Sequence, residues 1–344
     1  MEFYIDVEFI FLVMKIAIIG AGIAGLTVAK KLKDFSDITI FEKSRGAGGR
    51  VCSRYAEPYV FDHGAQFFIA KTKKFNRFLE PMIHEGVIES WNANFVEIKK
   101  EKIIDRRQWD LSHPHYVGLP TMSEIGRYLS KDLNLHLNTE VRIKRKKDQW
   151  QIFDIEGEDQ GLFDWVISTA PSSQSASLLT TDYKFNKALL DRKMMGCFSL
   201  MLGFNESLDL DWEAALVKEA DISWISVNSS KPGRKNDYTL LVHSTNLWAE
   251  ENINEEKDKV TEHLMNETSK IIGKEVYDAV HIDIHRWKYA NIKKQSIDSS
   301  FIDKKNKLAA CGDWFIKGRI ESAFLSGFDL ATELRNLFSK QIKR

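Results

Sequence analysis

Cysteine is scarce in this chain: its 344 residues include three, Cys52, Cys197 and Cys311, all far apart, with no CxxC pair. That excludes a disulfide framework and argues against a structural zinc site, which both need clustered sulfur. The expected setting is reducing and cytoplasmic. An excess of one charge is missing too. Lys+Arg and Asp+Glu both number 49, a formal net charge of zero, so no global field holds nucleic acid or an anionic membrane. Long apolar runs are also absent, and no membrane span is expected. Phe9 to Val13, near the start, is far too short to cross a bilayer. Residues 1–13 (MEFYIDVEFIFLV) carry Glu2, Asp6 and Glu8 where a signal peptide would be basic. The expectation is that the fold starts at Met14 and that 1–13 is a non-native or added leader. The length suggests about two domains.

What is present begins at Lys15. Lys15 to Ile19 is a short apolar run, as for a parallel strand buried on both faces. It leads into Gly20-Ala-Gly22-Ile-Ala24-Gly25, a GxGxxG, then a helix with Ala24, Val28, Leu32 and Phe35 on one stripe, then a strand Ile38 to Phe41 ending at Glu42. Gly20 allows the tight turn, Gly22 lets backbone approach a pyrophosphate, and Gly25 lets the helix lie close to the sheet. The helix N-terminus presents free N–H groups to phosphate, and Glu42 is spaced to accept from a ribose diol. The order of these parts points to dinucleotide binding, against the blander reading of a glycine-rich turn in another α/β protein.

Directly after Glu42 come Lys43, Ser44, Arg45, Gly46, Ala47, Gly48, Gly49 and Arg50. Three further glycines and two arginines suit a second loop closing over the pyrophosphate, with Arg45 and Arg50 as charge-assisted donors. This GxGxxG…E…RxGGR arrangement resembles the flavin-dependent amine oxidase superfamily. The resemblance implies non-covalent FAD and a Rossmann-like FAD-binding domain with an inserted mixed-sheet substrate domain. That is an α/β chain, α+β overall, of amine oxidase or p-hydroxybenzoate hydroxylase-like fold. It further implies that Phe61-Asp-His63-Gly64-Ala65-Gln66-Phe-Phe68 passes the isoalloxazine ring, that Val141 contacts adenine through its backbone, and that the strand closing the domain ends at Ala170. Gly312-Asp313 would stand by the cofactor's linking chain, and the N–H groups around Ser322 and Ala323 would open a helix aimed at the flavin pyrimidine.

The expected division is 14–66, 115–175 and 300–340 for FAD, and 67–114 with 176–299 for substrate. The spacing also predicts a helix over 72–86 broken or kinked at Pro81, a capping box Thr121-Met-Ser-Glu124 opening another, and one helix near 251–272. FEKSRGAGGR (41–50), FDHGAQFF (61–68), LVHSTNLWAEENI (241–253), HRWKYA (285–290) and GDWFIKGRIESAFLSG (312–327) together resemble renalase-type flavoproteins. That resemblance implies oxidation of 2- or 6-dihydro isomers of NAD(P)H, with dioxygen as acceptor and hydrogen peroxide as product. His243, His285 and Trp287 are the candidates for the substrate face. Strand alternation keeps Arg286 and Trp287 on opposite sides. His281, Asp283 and His285 share a strand face, but with no fourth ligand in view they read as hydrogen-bonding residues, and no metal is expected. The other readings are an oxidase or desaturase of another amine or alicyclic substrate, a non-catalytic FAD-binding protein, and a nicotinamide-only reductase.

Overall fold

The computed structural model describes residues 14–179, 183–234, 237–295 and 298–342, so the leader 1–13 lies outside them. Two large sheets organise these residues. The first has six strands in the order Ser300–Asp303, Leu308–Cys311, Trp165–Ser168, β1 (Met14–Ile19), β2 (Ser36–Phe41) and Asn134–His136. All neighbours run parallel except Ser300–Asp303, which is antiparallel at one edge. Ile16, Ala17 and Ile18 of β1 are wholly buried, because strands on both sides and packing on both faces leave them no route to water.

Helix α1 (Ile23–Leu32) leaves β1 through Gly20, whose φ of +108° is strained for any other residue. The C-terminal helix Ile320–Ile342 packs beside α1 so closely that a Cβ at Gly327 would sit 2.6 Å from the Ala24 carbonyl oxygen. Phe324, Ala331, Leu334 and Phe338 enter one core with Ile16, Ile18 and Leu26. One aromatic of the expected α1 stripe falls elsewhere: Phe35 lies past the end of α1 and is exposed under Arg335. Phe328 packs at the edge of this core, with the Lys31 ammonium 3.8 Å from its ring centre.

The second sheet has seven strands in the order His281–Asn291, Met195–Phe204, Tyr238–Ser244, Ile222–Val227, Ala214–Lys218, Asn94–Lys99 and Lys102–Gln108. One face, with Phe198, Leu200, Leu202, Ile225, Leu240 and Val242, packs on Val260, Leu264 and Met265 of helix Lys257–Ile272. Alternation sends Ser199, His243, His285 and Trp287 to the opposite face, where Trp287 meets the loop that follows the short strand Tyr59–Phe61. A smaller antiparallel sheet comprises Val141–Lys146, Gln149–Asp154 and Asp159–Phe163.

Three local expectations change. Helix Lys73–His84 continues through Pro81, which lacks the N–H that would bond back to Arg77 and stands three residues before the helix ends. The 251–272 region is two helices, Asn246–Glu251 and Lys257–Ile272. The Thr121 capping box does not form. Helix Ser123–Ser130 has Met122 as N-cap without a side-chain bond, since Asp62 Oδ1 accepts the Met122 N–H at 3.1 Å and Ser53 Oγ accepts the Ser123 N–H at 3.3 Å.

Gly25→Ala places a Cβ 2.1 Å from the Gly20 carbonyl oxygen, whereas at Gly22 an added Cβ meets nothing within 4 Å. Urea unfolding is therefore expected to show a loss of about 1–3 kcal/mol for Gly25→Ala. For Gly22→Ala the loss is at most about 1 kcal/mol.

Candidate functional site

The turn from β1 into α1 and the loop after β2 form one cradle. Glu42, at the end of β2, accepts the Ala21 N–H through Oε2 and the Ser44 N–H through Oε1, both at 2.8 Å, so it ties the two loops together. Each oxygen keeps a further lone pair for a hydroxyl. Gly22 bridges Gly48, and a Cβ at Gly49 would lie 3.4 Å from the Gly22 Cα. The N-cap of α1 is Gly22, with no side-chain cap and no acidic residue in the first turn. Its N–H groups, beside Ala24 and Gly25, face the open space above Gly22. That donor set and that space fit a pyrophosphate. Lys43 and Arg45 stand exposed on the rim.

Arg50 is not a free phosphate donor as expected. Its guanidinium grips Asp313 at 2.5 and 3.0 Å and donates to the Ala290 carbonyl at 2.9 Å. Asp313 is almost fully buried, and a desolvated carboxylate needs a cation. The pair thereby joins the second loop to the C-terminal segment. Ala170 lies on the same side, its carbonyl accepting from the Trp314 indole at 3.1 Å, and the Gly312 N–H donates to Ser326 at 2.9 Å. Val141 is buried with Phe41. At the C-terminal helix the Ala323 N–H is spent on the Arg319 carbonyl, at 3.1 Å. The free donors of that terminus therefore end at Ser322 rather than Ala323.

A second cluster surrounds His63. The Trp287 indole N–H donates to the His63 carbonyl at 2.9 Å, and His243 Nε2 stands 3.4 Å from the same oxygen. The His63 ring stacks on Trp287 at 5.2 Å and meets His285 edge-on at 5.0 Å. His285 and Trp287 thus share a face. Arg286 points away, over Phe198, and donates to the Glu255 carbonyl. Arg54 donates to Asp283 at 2.7 Å and to His285 Nδ1 at 3.0 Å. Since a guanidinium only donates, Nδ1 accepts, and this assigns the His285 proton to Nε2. Asp283 and His285 are therefore tied to Arg54, and His281 stacks on Phe61. No trio of His, Cys, Asp or Glu able to hold a metal comes together among the described residues.

Burial sets the protonation here. The His63 imidazole is pushed down to about 3 by burial, then by the charges of His285 and Arg54. Burial also lowers His243 to about 4, helped by the Lys231 charge, and His285 to about 4, helped by Arg54. All three rings are neutral at pH 7. Cys52, with its sulfur 3.8 Å from His63 Nε2, is pushed up to about 12 by burial and stays a thiol.

Behind His63 lies a group that sequence reading missed. Asp62 is paired with Lys231 at 3.2 Å and Arg234 at 2.5 Å, all three essentially without solvent contact. The two cations hold the Asp62 carboxyl well below the usual range against the effect of burial. A separation of 169 residues carries no sequence signal beyond the charged types themselves.

Residues 18–81 match the NAD(P)-binding Rossmann-like domain, and residues 74–335 match the flavin containing amine oxidoreductases. Among curated proteins, the 4,4'-diapophytoene desaturase (4,4'-diaponeurosporene-forming) of Staphylococcus aureus strain Newman is 42% identical over 112 residues, 31% of this chain and 20% of that protein. The matched stretch thus spans about a fifth of the length of that relative. A protein described as a protoporphyrinogen oxidase, from Exiguobacterium sp. 255-15, superposes with a TM-score of 0.77 at 11% identity, covering 93% of this chain and 98% of that one. Putrescine oxidase bound to putrescine gives 0.67 at 10% identity, covering 94% and 99%. Both likenesses show the fold. No helix among the described residues is long and apolar enough to cross a membrane.

Two outcomes are expected from this geometry. Arg50→Ala removes the partner of Asp313, and gel-filtered protein should then lose most of its flavin absorbance; full occupancy would show the second loop to be misassigned. The depressed histidines should also give an acid limb to stability. Their folded values of about 3 and 4 lie below the ~6.5 of an unfolded histidine, so between these the unfolded chain binds more protons and stability falls as pH falls. Denaturation across that window should show a shallower limb in His63→Asn.

Proposed function

The chain belongs to the flavin containing amine oxidoreductase family and is an FAD-dependent oxidoreductase, and from that premise we propose a renalase-like oxidase of 2- or 6-dihydro isomers of NAD(P)H. The observation that carries this reading is the charge of the face around His63. Its three histidines are neutral. Its two carboxylates are already occupied, Asp283 by Arg54 and Asp62 by Lys231 and Arg234. Among the described residues this face offers an ammonium substrate no unpaired carboxylate, and Arg54 beside His285 adds a cation, which disfavours it. A dihydropyridine is neutral, and its own ring nitrogen supplies the electron push, so it needs no side-chain base.

When bound, FAD would supply a hydride acceptor that dioxygen can reoxidise with release of hydrogen peroxide. In this proposal Glu42 holds the ribose, the N-terminus of α1 with Gly22 and the 43–50 loop holds the pyrophosphate, and Asp313 holds the linking chain. The His63–Gln66 turn and the N–H groups up to Ser322 border the flavin. Trp287 and His63 offer flat faces that orient a planar ring, while the His285 Nε2–H is a donor to it. Residues 14–66, 115–175 and 300–340 would carry FAD, and 67–114 with 176–299 the substrate. A second reading, oxidation of an amine or dehydrogenation of an alicyclic substrate, is favoured by the family match and by the putrescine-bound neighbour.

Anaerobic mixing with borohydride-treated NAD, which contains the isomers, should bleach the visible flavin band quickly, while authentic NADH should not. Admitting oxygen should restore the band with release of peroxide. An unbleached band with the isomers, together with bleaching by a primary amine, would overturn the proposal in favour of the second reading.

A further inference from the structure

We infer that Lys231 and Arg234 are positioning residues: clamped on Asp62, they fix the 62–66 turn so that the His63 carbonyl stands where Trp287 and His243 reach it. The three protons of the Lys231 ammonium have three acceptors, Asp62 Oδ2 and Gln66 Oε1 at 3.2 Å and Asn228 Oδ1 at 3.0 Å. An ammonium only donates, so it dictates which end of the Gln66 amide faces it. Ser226 also donates to Gln66 Oε1, at 3.1 Å. The Gln66 NH2 is thereby turned toward its own chain, where it donates to the Asp62 carbonyl at 2.5 Å and the Gly64 carbonyl at 3.1 Å. With carbonyls 62 and 64 drawn inward, that of residue 63 is the one left to face the seven-stranded sheet and accept from Trp287.

Arg234 closes the back of the turn. It donates to Asp62 Oδ2 at 2.5 Å, to the Gly118 carbonyl at 2.6 Å and to the Pro232 carbonyl at 2.7 Å. Buried ion pairs are poor stabilisers, because desolvation offsets most of their attraction. This one is also unbalanced, since two cations share the single carboxylate within ion-pair distance among the described residues. What the cluster supplies is direction, carried from Lys231 through Gln66 to the peptide that aligns Trp287. It holds whatever the substrate is.

The test uses the FAD-loaded protein with 15N-indole-labelled tryptophan. Nine tryptophans give nine indole N–H signals, and Trp287→Phe assigns one. Lys231→Met leaves Asp62 and Arg234 as a neutral pair. The expected result is a shifted Trp287 signal whose hydrogen exchange is about tenfold faster, the scale of one net hydrogen bond. The signals of Trp150 and Trp314, which donate to the Asn306 and Ala170 carbonyls, should stay in place. A folded Lys231→Met with an unmoved Trp287 signal overturns the inference, as does a common shift of all indole signals. Should Lys231→Met not fold, Gln66→Met removes no charge, taking only one of the three acceptors of Lys231, and must move the Trp287 signal while those of Trp150 and Trp314 stay in place; an unmoved Trp287 signal there overturns the inference as well.

Discussion

One carboxylate without access to water ties the parts of this molecule together. Asp62 receives Ser53 from the loop after β2, the Met122 N–H from the entry to a helix, and Lys231 and Arg234 from beside the seven-stranded sheet. The bonds come from three separate stretches of chain, so the charge sits at the seam between the two sheets. Removing one member of such a group costs more than the whole group contributes, because it strands a buried charge. Arg50 and Asp313 repeat the device between the second loop and the C-terminal segment. Segment 50–66 therefore joins both devices: Arg50 meets Asp313 at one end, and Asp62 holds the turn that carries His63 to Trp287 at the other.

The seam also sets the chemistry available beside it. Burial and the Arg54 and Lys231 charges hold His63, His243 and His285 neutral. The carboxylates that would attract an ammonium are already spoken for. Among the described residues what remains is an aromatic pair, Trp287 against His63, with the His285 Nε2–H beside it. On the proposed reading such a surface would orient a flat neutral ring and leave the bond changes to ring and cofactor.

The β1–α1–β2 unit was legible in the sequence because every feature of it is local. The apolar run, the glycines, the helix stripe and Glu42 lie within 28 residues, and each is shaped by its near neighbours. The shared face of His285 and Trp287 was legible for the same reason, since alternation is a property of a single strand. Asp62 stands inside the 61–68 motif, yet its role is not legible there, because apart from Ser53 its partners arrive from 60, 169 and 172 residues away. The failed capping box has the same cause. Thr121 and Glu124 have the right spacing, but Asp62 and Ser53 supply the acceptors instead. Arg50 was identified as a charged donor, while its partner Asp313, 263 residues on, could not be.

The central claim is that this face takes a neutral donor and uses no side-chain base. The most direct test is the pH dependence of the second-order rate constant for anaerobic flavin reduction by purified dihydronicotinamide isomer, from about pH 5.5 to about pH 7.5. The histidines, at about 3 and 4, and Lys231, lowered to about 8, all lie outside that window, so the account predicts a flat profile. A rate constant that climbs about tenfold per pH unit would mean that a proton must first be removed from donor or enzyme, and would contradict it.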